Sequence, residues 1–313
     1  MIVSVVIPCY NVSRHIEQVI SELPETISYI ITVNDCSKDD TDKILARLAA
    51  ENKKIIHISH PINQGVGGAM ITGYIKSMEL NSDLTIKIDG DGQMDTTYID
   101  AMLEPIIADK ADFTKGNRFR DFNALRKMPL PRRFGNLGLS FLIKAASGYW
   151  NIFDPNNGFT AIKNETLKNI DLNKIHKRYF FESSMLIELY HASAVVRDIE
   201  MKARYGDEVS GLSATRSFFE FPPKLFAAFI KRILLKYFLF EFNIASLYIL
   251  FGVPLFFVGL IFGLVNYIKY ASSHLPAPTG TVVIPTLLIT LGFQLLLSAA
   301  NYDIGNYPQK KGS

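Results

Sequence analysis

Two aspartates separated by a single residue, Asp89 and Asp91, are the part of the chain best suited to chemistry. The β-branched, apolar run from Leu84 to Ile88 predicts a buried strand directly before them, and an amide, Gln93, follows. Open α/β sheets bind ligands at the carboxyl ends of their strands. Carboxylates on a short turn suit Mg²⁺ or Mn²⁺, which take one or two of them and complete their shells with water and phosphate oxygens. A polar turn after a buried strand is the alternative.

Two other polar loops follow predicted strands and should lie at the same edge of the sheet. Pro8-Cys9-Tyr10-Asn11 follows the first strand, and Asn34-Asp35-Cys36-Ser37 follows the second. The Tyr10 ring suits stacking on a nucleobase, and the Asp35 carboxylate suits accepting a base N–H. Satisfied turns are the alternative, since Asn and Asp are common turn residues. The loops predict a nucleotide site beside the aspartates.

The segment Gly65-Val66-Gly67-Gly68 is similar to a dinucleotide-binding fingerprint but does not match it. Met70 stands where the third glycine belongs, and the segment follows the third predicted strand instead of the first. We interpret it as the close-packed start of a helix that lines the nucleotide pocket.

Strand and helix patterns alternate through the first part of the chain. Such alternation with short connections predicts an α/β domain, a mostly parallel sheet between helices. The predicted elements are, in chain order, Ile2–Ile7, Ser13–Leu23, Tyr29–Val33, Asp39–Ala50, Ile55–Ile58, Val66–Met78 and Leu84–Ile88.

Two apolar runs lie close together near the carboxyl terminus. Neither Ile244–Asn266 nor Thr281–Ala300 contains a charged residue. Each meets the length of about 20 apolar residues that a transmembrane helix needs. Buried core helices are the weaker alternative, because the preceding domain already has its own core pattern.

Basic residues precede the first run and follow the second. The loop between the runs, Tyr267–Gly280, holds only Lys269. By the positive-inside rule we expect a multi-pass protein of the inner (plasma) membrane, with the α/β domain and both termini in the cytoplasm. The flanking basic residues are Lys224, Lys231, Arg232, Lys236, Lys310 and Lys311.

Composition narrows the classes of function. The net charge of +3 gives no general case for nucleic-acid binding. The chain has two cysteines and no signal peptide at its start, which predicts reduced thiols in a cytoplasmic setting. The six histidines show no spacing typical of a zinc site.

Residues 216–243 combine phenylalanines with lysines, as interfacial amphipathic helices do. We expect the apolar side chains in the acyl boundary and the cations, Arg232 included, on lipid headgroups. A helix that packs on the domain is the alternative. The predicted organisation is a catalytic domain 1–215, an interfacial segment 216–243, a two-helix hairpin 244–301 and a cytoplasmic tail 302–313.

Four elements, taken together, resemble family 2 glycosyltransferases of the GT-A fold. They are Val5-Val6-Ile7-Pro8-Cys9-Tyr10-Asn11, Asn34-Asp35-Cys36-Ser37-Lys38-Asp39-Asp40-Thr41, Asn63-Gln64-Gly65 and Asp89-Gly90-Asp91-Gly92-Gln93. The resemblance implies that the first two loops hold the nucleoside of a nucleotide-sugar and that the Asp-x-Asp site holds a divalent metal on its diphosphate. The implied nucleotide-binding residues are Pro8, Tyr10, Asn11, Asp35, Gln64, Gly65 and Asp89.

With its two apolar runs the whole chain is similar to the polyprenyl-phosphate hexosyltransferase branch, which includes dolichyl-phosphate mannose synthases and bactoprenol glucosyltransferases. That resemblance implies Asp89, Asp91 and Gln93 as metal ligands. It also implies that Arg118 faces the donor phosphates and that Asp154 lies near the reacting sugar and acceptor. The matching elements are Gly116-Asn117-Arg118, Asp154-Pro155-Asn156-Asn157-Gly158-Phe159 and Arg204-Tyr205-Gly206.

The chain departs from that branch after Gly206. The branch continues Glu-Ser-Lys-Leu, whereas this chain has Asp207-Glu208-Val209-Ser210-Gly211-Leu212 and lacks the lysine. Arg132 and Arg133, together with Arg204, are the candidate residues for the sugar and the acceptor phosphate. For Arg132 and Arg133 a solvated basic loop is the alternative.

The resemblance implies transfer of a hexose from a UDP- or GDP-sugar to a polyprenyl phosphate, with inversion at the anomeric carbon. A phosphate monoester has a second pKa of about 6, so it is already a nucleophile at neutral pH. Asp91, Arg118 and Asp154 are then the expected catalytic residues, with Asp154 orienting the sugar or acceptor instead of removing a proton.

Two other functions remain open at the sequence level. Arg178-Tyr179-Phe180-Phe181-Glu182-Ser183 resembles the acidic position of hydroxyl-acceptor members, so Glu182 could serve as base toward a hydroxyl of a lipid-linked sugar. An ion pair with Arg178 is the alternative for Glu182. An inactive GT-A membrane scaffold is the third reading, and analogy with related two-span enzymes suggests a homo-oligomer such as a tetramer.

Overall fold

The computed structural model describes residues 1–118, 130–202, 214–273 and 276–310. The chain divides into two compact units. The first is Met1–Ala228 with Pro308–Ser313, and the second is Phe229–Tyr307. The domain boundaries predicted from the sequence stay predictions.

A seven-stranded sheet forms the centre of the first unit. The strand order is β3-β2-β1-β4-β6-β5-β7, and β6 runs antiparallel to both of its neighbours while the other pairs are parallel. The four strands predicted from the sequence are therefore present and parallel. The strands are β1 Val3–Cys9, β2 Tyr29–Asn34, β3 Ile55–Ser59, β4 Leu84–Lys87, β5 Phe113–Asn117, β6 Thr160–Lys163 and β7 Val196–Glu200.

Helices connect these strands and continue to the carboxyl terminus. The three helices predicted in the first part of the chain are present, although the first is shorter than expected. The helices are α1 Ile16–Ser21, α2 Thr41–Glu51, α3 Val66–Glu79, α4 Ile99–Ile107, α5 Leu130–Ser147, α6 Asn164–Lys168, α7 Phe181–His191, α8 Ala214–Leu234, α9 Ile244–Ser273 and α10 Thr279–Gly305.

The central strands are buried on both faces, which explains why they form continuous apolar runs. Val5 and Ile7 of β1 and Ile86 of β4 are completely buried. Polar side chains in these strands are bonded inside the protein: the Thr85 hydroxyl donates to Asn164 Oδ1 at 2.6 Å. The sheet is thus a rigid platform whose carboxyl edge can carry a site.

The reversed strand β6 decides which loops share that edge. Its Thr160 pairs with Lys87 of β4 on one side and with Lys115 of β5 on the other. Because β6 is antiparallel, the loop that enters it, residues 154–159, lies at the edge where β4 and β5 end. The sheet therefore brings the Asp154 element beside the Asp-x-Asp turn.

The part of α8 around Phe221 and Leu225 packs on the rest of the first unit. Phe221 and Leu225 are one helical turn apart and buried, and the Phe221 ring lies edge-on to Phe180 with centroids 5.2 Å apart. Phe226 is exposed. This part of the segment thus packs on the domain through one face, as the alternative in the sequence analysis had it, and leaves another face open.

The second unit contains two long apolar helices, α9 and α10, of 30 and 27 residues. Both are long and apolar enough to cross a membrane, by length and composition. They approach closely at Gly292, where a β-carbon would meet the backbone of Phe256. The predicted loop 267–280 is shorter than expected, because α9 continues to Ser273.

A buried ion pair joins the two ends of the second unit. Asp303 of α10 accepts hydrogen bonds from Arg232 Nη1 at 2.8 Å and Nη2 at 2.7 Å, and from the Tyr237 hydroxyl at 2.6 Å. Tyr237 lies in the π-helical segment Leu235–Phe240. Arg232 is 2% exposed, so the prediction that it lies on lipid headgroups is wrong: its charge is matched by a carboxylate.

Candidate active site

The Asp-x-Asp turn follows β4 directly. Asp91 Oδ1 accepts a hydrogen bond from the Gln93 backbone N–H at 3.0 Å, which closes the turn on itself. The Asp89 backbone N–H donates to the sulfur of Met94 at 3.3 Å, and the Asp89 side chain is 32% exposed. The turn therefore presents carboxylate oxygens at the edge of the sheet, as the sequence predicted.

Lys87, two residues before Asp89, was not singled out by the sequence analysis. Its ammonium is 1% exposed and lies 2.6 Å from Asp89 Oδ1, 3.1 Å from the Gly158 carbonyl oxygen and 3.7 Å from Glu182 Oε1. Burial lowers its pKa, but the charges of Asp89 and Glu182 outweigh burial and hold the pKa above the ordinary value. A fixed positive charge thus lies among the site carboxylates.

The two predicted nucleoside loops are bonded to each other. The Asn11 backbone N–H donates to the Ser37 hydroxyl at 3.0 Å, and Asn11 Oδ1 accepts from the Lys38 N–H at 2.8 Å. Asn11 and Cys36 both have positive φ, 54° and 60°, a strained conformation that cross-bonding holds in place. The Asn11 side chain therefore supports the loops, while Tyr10, which directly follows β1, is 46% exposed.

The Asp35 carboxylate is almost fully buried and organises the loop before α3. Its oxygens accept from the Gln64 N–H at 2.8 Å, the Gly65 N–H at 2.7 Å and His60 Nδ1 at 2.8 Å. A carboxylate has about four acceptor positions, so a base N–H can still be accommodated. In the structure, however, Asp35 serves first to place Gln64 and Gly65.

The start of α3 is close-packed, as its glycines suggested. Gly65 has a φ of 87°, and a β-carbon there would lie 2.6 Å from the Lys177 carbonyl oxygen. The Gly68 N–H donates to that same carbonyl at 3.0 Å, and Lys177 Nζ donates to Gln64 Oε1 at 3.0 Å. The segment that leads into α7 is thereby held against the nucleotide loop.

Arg118 and Asp154, expected on different parts of the substrate, form an ion pair with each other. Arg118 Nε lies 2.8 Å from Asp154 Oδ2, and its backbone N–H donates to the same oxygen at 3.3 Å. Asp154 is completely buried, whereas the Arg118 side chain is 41% exposed. The charge of Asp154 is therefore matched by the Arg118 guanidinium, and the Arg118 side chain remains partly exposed to solvent.

Glu182 lies in the first turn of α7 and is 17% exposed. The ion partner that the structure gives it is Lys87, not the neighbouring Arg178 that the sequence suggested. Glu182 also lies near enough to the buried Lys115 ammonium to affect its pKa. Both acceptor-side carboxylates proposed from the sequence, Asp154 and Glu182, thus face cations.

Two more ionisable groups of the site were missed by the sequence analysis, Lys115 on β5 and Asp198 on β7. Burial lowers the pKa of Lys115 to about 8, and its ammonium donates to the Asn157 carbonyl oxygen. Burial raises the pKa of Asp198 to about 6, and its Oδ2 accepts from the Phe153 N–H at 2.7 Å. A charged residue inside a short buried strand is the signal that could have found them.

Three predicted residues cannot be placed. The side chains of Arg132 and Arg133, and the whole of Arg204, lie outside the part of the chain that the structure describes. Their assignment to the sugar and the acceptor phosphate stays a prediction.

The residues of the turn fit a divalent cation. Asp89 and Asp91 offer hard carboxylate oxygens, and Gln93 follows in the same turn. Within the described residues there is no group of three or more His, Cys, Asp or Glu side chains that could hold a metal. A cation at this turn would therefore need oxygens from the diphosphate and from water, as Mg²⁺ sites in phosphate-binding enzymes commonly do.

Residues 4–171, more than half of the chain, match the family model described as glycosyl transferase family 2. The chain belongs to that family. It is a glycosyltransferase, and the resemblance found in its motifs is confirmed.

Two curated relatives of this glycosyltransferase are named for transfer to a lipid phosphate. The chain is 34% identical over 217 residues to a UDP-N-acetylglucosamine–dolichyl-phosphate N-acetylglucosaminyltransferase of Methanococcus voltae, covering 65% of this chain and 86% of that protein. It is 27% identical over 188 residues to an undecaprenyl-phosphate mannosyltransferase of Micrococcus luteus, covering 59% of this chain and 76% of that one.

Solved structures show the fold of the glycosyltransferase. Glucosyl-3-phosphoglycerate synthase from Mycobacterium tuberculosis, in complex with Mn²⁺, UDP-glucose and phosphoglyceric acid, superimposes with a TM-score of 0.53. The match covers 74% of this chain and 79% of that one at 16% identity. The GT-A fold class predicted from the sequence is confirmed.

Proposed function

We propose that this glycosyltransferase moves a hexose from a nucleotide-sugar to a polyprenyl phosphate at the cytoplasmic leaflet of the membrane, with inversion at the anomeric carbon. The observation that carries the proposal is the pairing of both acceptor-side carboxylates with cations. Asp154 is bonded to Arg118, and Glu182 lies 3.7 Å from the Lys87 ammonium.

That pairing favours an acceptor that is already ionised. A hydroxyl acceptor needs a base within about 2.6–3.2 Å of its proton, whereas a phosphate monoester is a nucleophile at neutral pH without one. Asp154 and Glu182 are engaged in holding cations in place. The names of the relatives from Methanococcus voltae and Micrococcus luteus support the same acceptor class.

The transfer itself is an in-line displacement. A phosphate oxygen of the acceptor attacks the anomeric carbon on the face opposite the nucleoside diphosphate. A carbon–oxygen bond to the acceptor forms, the bond to the β-phosphate breaks, and its electron pair leaves with the nucleoside diphosphate. Negative charge then grows on the leaving group, where Arg118, through its exposed face, is the proposed stabilising cation.

The donor is held by residues from three strand ends. Tyr10 stacks on the base, Pro8 shapes the loop beside it, and Asp35 fixes Gln64 and Gly65 around the nucleoside. Asp89, Asp91 and Gln93 are the proposed ligands of a Mg²⁺ or Mn²⁺ ion. When bound, such an ion neutralises charge on the diphosphate.

Membrane anchoring supports the lipid acceptor. The helices α9 and α10 are proposed to span the bilayer, with both termini and the catalytic unit on the cytoplasmic side. This arrangement keeps the enzyme at the surface where a polyprenyl phosphate presents its headgroup. A homo-oligomer, by analogy a tetramer, stays a prediction.

The test compares acceptors with purified full-length enzyme in detergent. Radiolabelled UDP-N-acetylglucosamine is the first donor, since the relative from Methanococcus voltae is named for it, followed by UDP- and GDP-hexoses. The acceptors are undecaprenyl phosphate, dolichyl phosphate and a sugar-linked diphospholipid.

We expect a lipid product that is labile to mild acid and is formed only from a monophosphate. A product formed only from the diphospholipid would overturn the proposal and favour transfer to a hydroxyl of a lipid-linked sugar. Absence of any product with every donor would favour the inactive scaffold.

A further inference from the structure

Two buried lysines flank the same residue of β6. Thr160 is the register partner of Lys87 on β4 and of Lys115 on β5. Side chains that are directly opposite in a sheet point to the same face. Lys87 and Lys115 therefore lie on either side of β6, the strand that follows the 154–159 loop, with their side chains on the same face of the sheet.

Both ammonium groups bond to that loop, and to consecutive residues of it. Lys115 Nζ donates to the carbonyl oxygen of Asn157, and Lys87 Nζ donates to that of Gly158 at 3.1 Å. The loop lies so close to the Asp-x-Asp turn that a β-carbon on Gly158 would be 2.6 Å from Asp89 Oδ2. The loop is thus held from both flanks directly above the turn.

Filling the interior is a poor explanation for these lysines. Each is 1% exposed, and a buried ammonium loses hydration that only carboxylates or carbonyls can replace. An apolar side chain of similar volume fills such a position without that loss. Besides the contacts of Lys87 with Asp89 and Glu182, the two ammonium groups make a pair of directed hydrogen bonds to backbone carbonyls.

We propose that Lys87 and Lys115 act as positioning residues that clamp the 154–159 loop from both sides and so fix Asp154 relative to Asp89. The two members differ in reach. Among the described residues, the hydrogen bond of Lys115 goes to the loop, whereas Lys87 bonds to the loop and to Asp89 Oδ1 at 2.6 Å. Lys87 therefore couples the donor turn to the loop that carries Asp154.

The first test reads the loop itself, without catalysis. Hydrogen–deuterium exchange is measured for peptides over residues 154–159 in the full-length protein, in Lys87→Met, in Lys115→Met and in the control Lys76→Met. Lys76 pairs with Glu79 on α3 at the surface. The reporting amides are Asn157 N–H, bonded to the Asp154 carbonyl, and Phe159 N–H, bonded to Asn157 Oδ1.

We expect each clamp variant to exchange these amides at least about tenfold faster than the parent, and the control to match the parent. Peptides from β1 and β2 report whether the variants are folded. If Lys87→Met or Lys115→Met fails to fold, the arginine variant of the same lysine replaces it. Because arginine keeps a cation, we expect the loop amides of the arginine variant to exchange more slowly than those of the methionine variant of the other lysine.

The second test asks whether the lysines act through Asp154. Transfer is measured for Lys115→Met in the parent and in an Asp154→Asn background. We expect a fall in kcat of about tenfold or more in the parent, because misplacing a site by a fraction of an ångström is costly. In the Asp154→Asn background we expect less than about twofold, since residues that act as a unit are not additive.

Donor binding separates the two lysines. Affinity for UDP with Mn²⁺, measured by calorimetry, should stay near the parent value in Lys115→Met and change in Lys87→Met, which also releases Asp89. Unaltered exchange over 154–159 in both variants, or an equal fall in kcat with and without Asp154, would overturn the clamp.

The clamp rests on the proposed function only for its kinetic assay. If the parent enzyme forms no product with a polyprenyl phosphate, the proposed function has failed, and the exchange and binding measurements still decide whether the clamp exists.

Discussion

The guanidinium of Arg118 and the carboxylate of Asp154 meet at 2.8 Å, one residue partly exposed and the other completely buried. Arg118 directly follows β5, and Asp154 begins the loop that leads into β6. The pair thus fastens the carboxyl end of one strand to the entrance of its antiparallel neighbour. The pair also links Arg118, which is proposed to stabilise the leaving group, to Asp154, which is proposed to lie near the reacting sugar and the acceptor.

Replacing Arg118 should disturb both roles. Arg118→Gln leaves the Asp154 carboxylate buried without its guanidinium, so we expect a lower thermal midpoint and about a hundredfold loss of kcat. Arg118→Lys keeps the charge but not the forked geometry of the guanidinium. Its thermal midpoint and kcat should therefore fall between those of the parent and of Arg118→Gln. Thermal melting and transfer assays in detergent provide the measurement.

The double variant Arg118→Gln/Asp154→Asn separates stability from catalysis. It removes the buried charge, so the thermal midpoint should recover while transfer stays low. A double variant that melts no higher than Arg118→Gln would argue against the pair as the cause of the instability.

Asp91 should be required for metal-dependent donor binding. Asp91→Asn removes one of the two carboxylates of the turn, and the expected result is loss of the Mn²⁺-dependent part of UDP affinity in calorimetry. Asp100→Asn, an exposed aspartate on α4, is the matched control. Equal Mn²⁺-dependent affinity in Asp91→Asn and parent would exclude the turn as the metal site.

Glu182→Gln distinguishes a base from a counter-ion. Loss of a general base lowers rates by about 10²–10⁴-fold. With a polyprenyl phosphate acceptor we expect a fall in kcat of less than about tenfold, because the acceptor needs no deprotonation and the variant only weakens the contact with Lys87. A fall of a thousandfold or more with unchanged donor affinity would favour the hydroxyl mechanism.

Asp198 should make stability depend on pH in the acid range. Burial raises its pKa from 3.8 to about 6, so between those values the folded state holds a proton that the unfolded chain has released. Stability therefore falls as pH rises through this window, by up to about 3 kcal/mol. Lys115, Asp154 and Lys144 are the charges that face Asp198.

Asp198→Asn lacks that titration. Its stability relative to the parent should increase from about pH 4 to about pH 7 and then level off. Thermal midpoints across this range give the measurement, with the exposed Asp100→Asn as control. Parallel pH profiles for Asp198→Asn and the parent would contradict the assignment.

The ion pair of the second unit should respond asymmetrically to substitution. Asp303→Leu strands a buried guanidinium, and removing one partner of a buried pair costs about 3–5 kcal/mol. The double variant Arg232→Met/Asp303→Leu replaces both charges with apolar groups and should recover most of the loss. Thermal melting of the two variants is the comparison, and equal midpoints would show that the pair is not coupled.

The sequence predicted the part of the sheet built from local patterns. Strands β1 to β4 are apolar runs bounded by turns, and their order of alternation with helices is visible without a structure. Strands β5, β6 and β7 were not predicted, because they are short and carry polar or charged residues, as in Thr160–Lys163 and Val196–Glu200. The reversal of β6 follows from long-range pairing, which local patterns do not contain.

In the candidate site, too, the residues within local motifs could be predicted, whereas the contacts that depend on long-range strand pairing could not. Asp89, Asp91, Arg118 and Asp154 were predicted as site residues from motifs, yet the pairing of Arg118 with Asp154 depends on the antiparallel entry of β6. Lys87 lies inside the run from Leu84 to Ile88, which the local pattern predicts only as a buried strand. Because strands of a parallel sheet are buried on both faces, a lysine within one needs buried partners, and that requirement was the available signal.

Asp303 leaves the ribosome 71 residues after Arg232, so the arginine is synthesised long before the carboxylate that neutralises it. With α9 and α10 spanning the bilayer as proposed, the two meet only after the chain has crossed the membrane and returned. Until Asp303 has been synthesised, the Arg232 guanidinium lacks this carboxylate and the Tyr237 hydroxyl lacks this acceptor. The ion pair can therefore form only when the synthesis of α10, which carries Asp303, is almost complete.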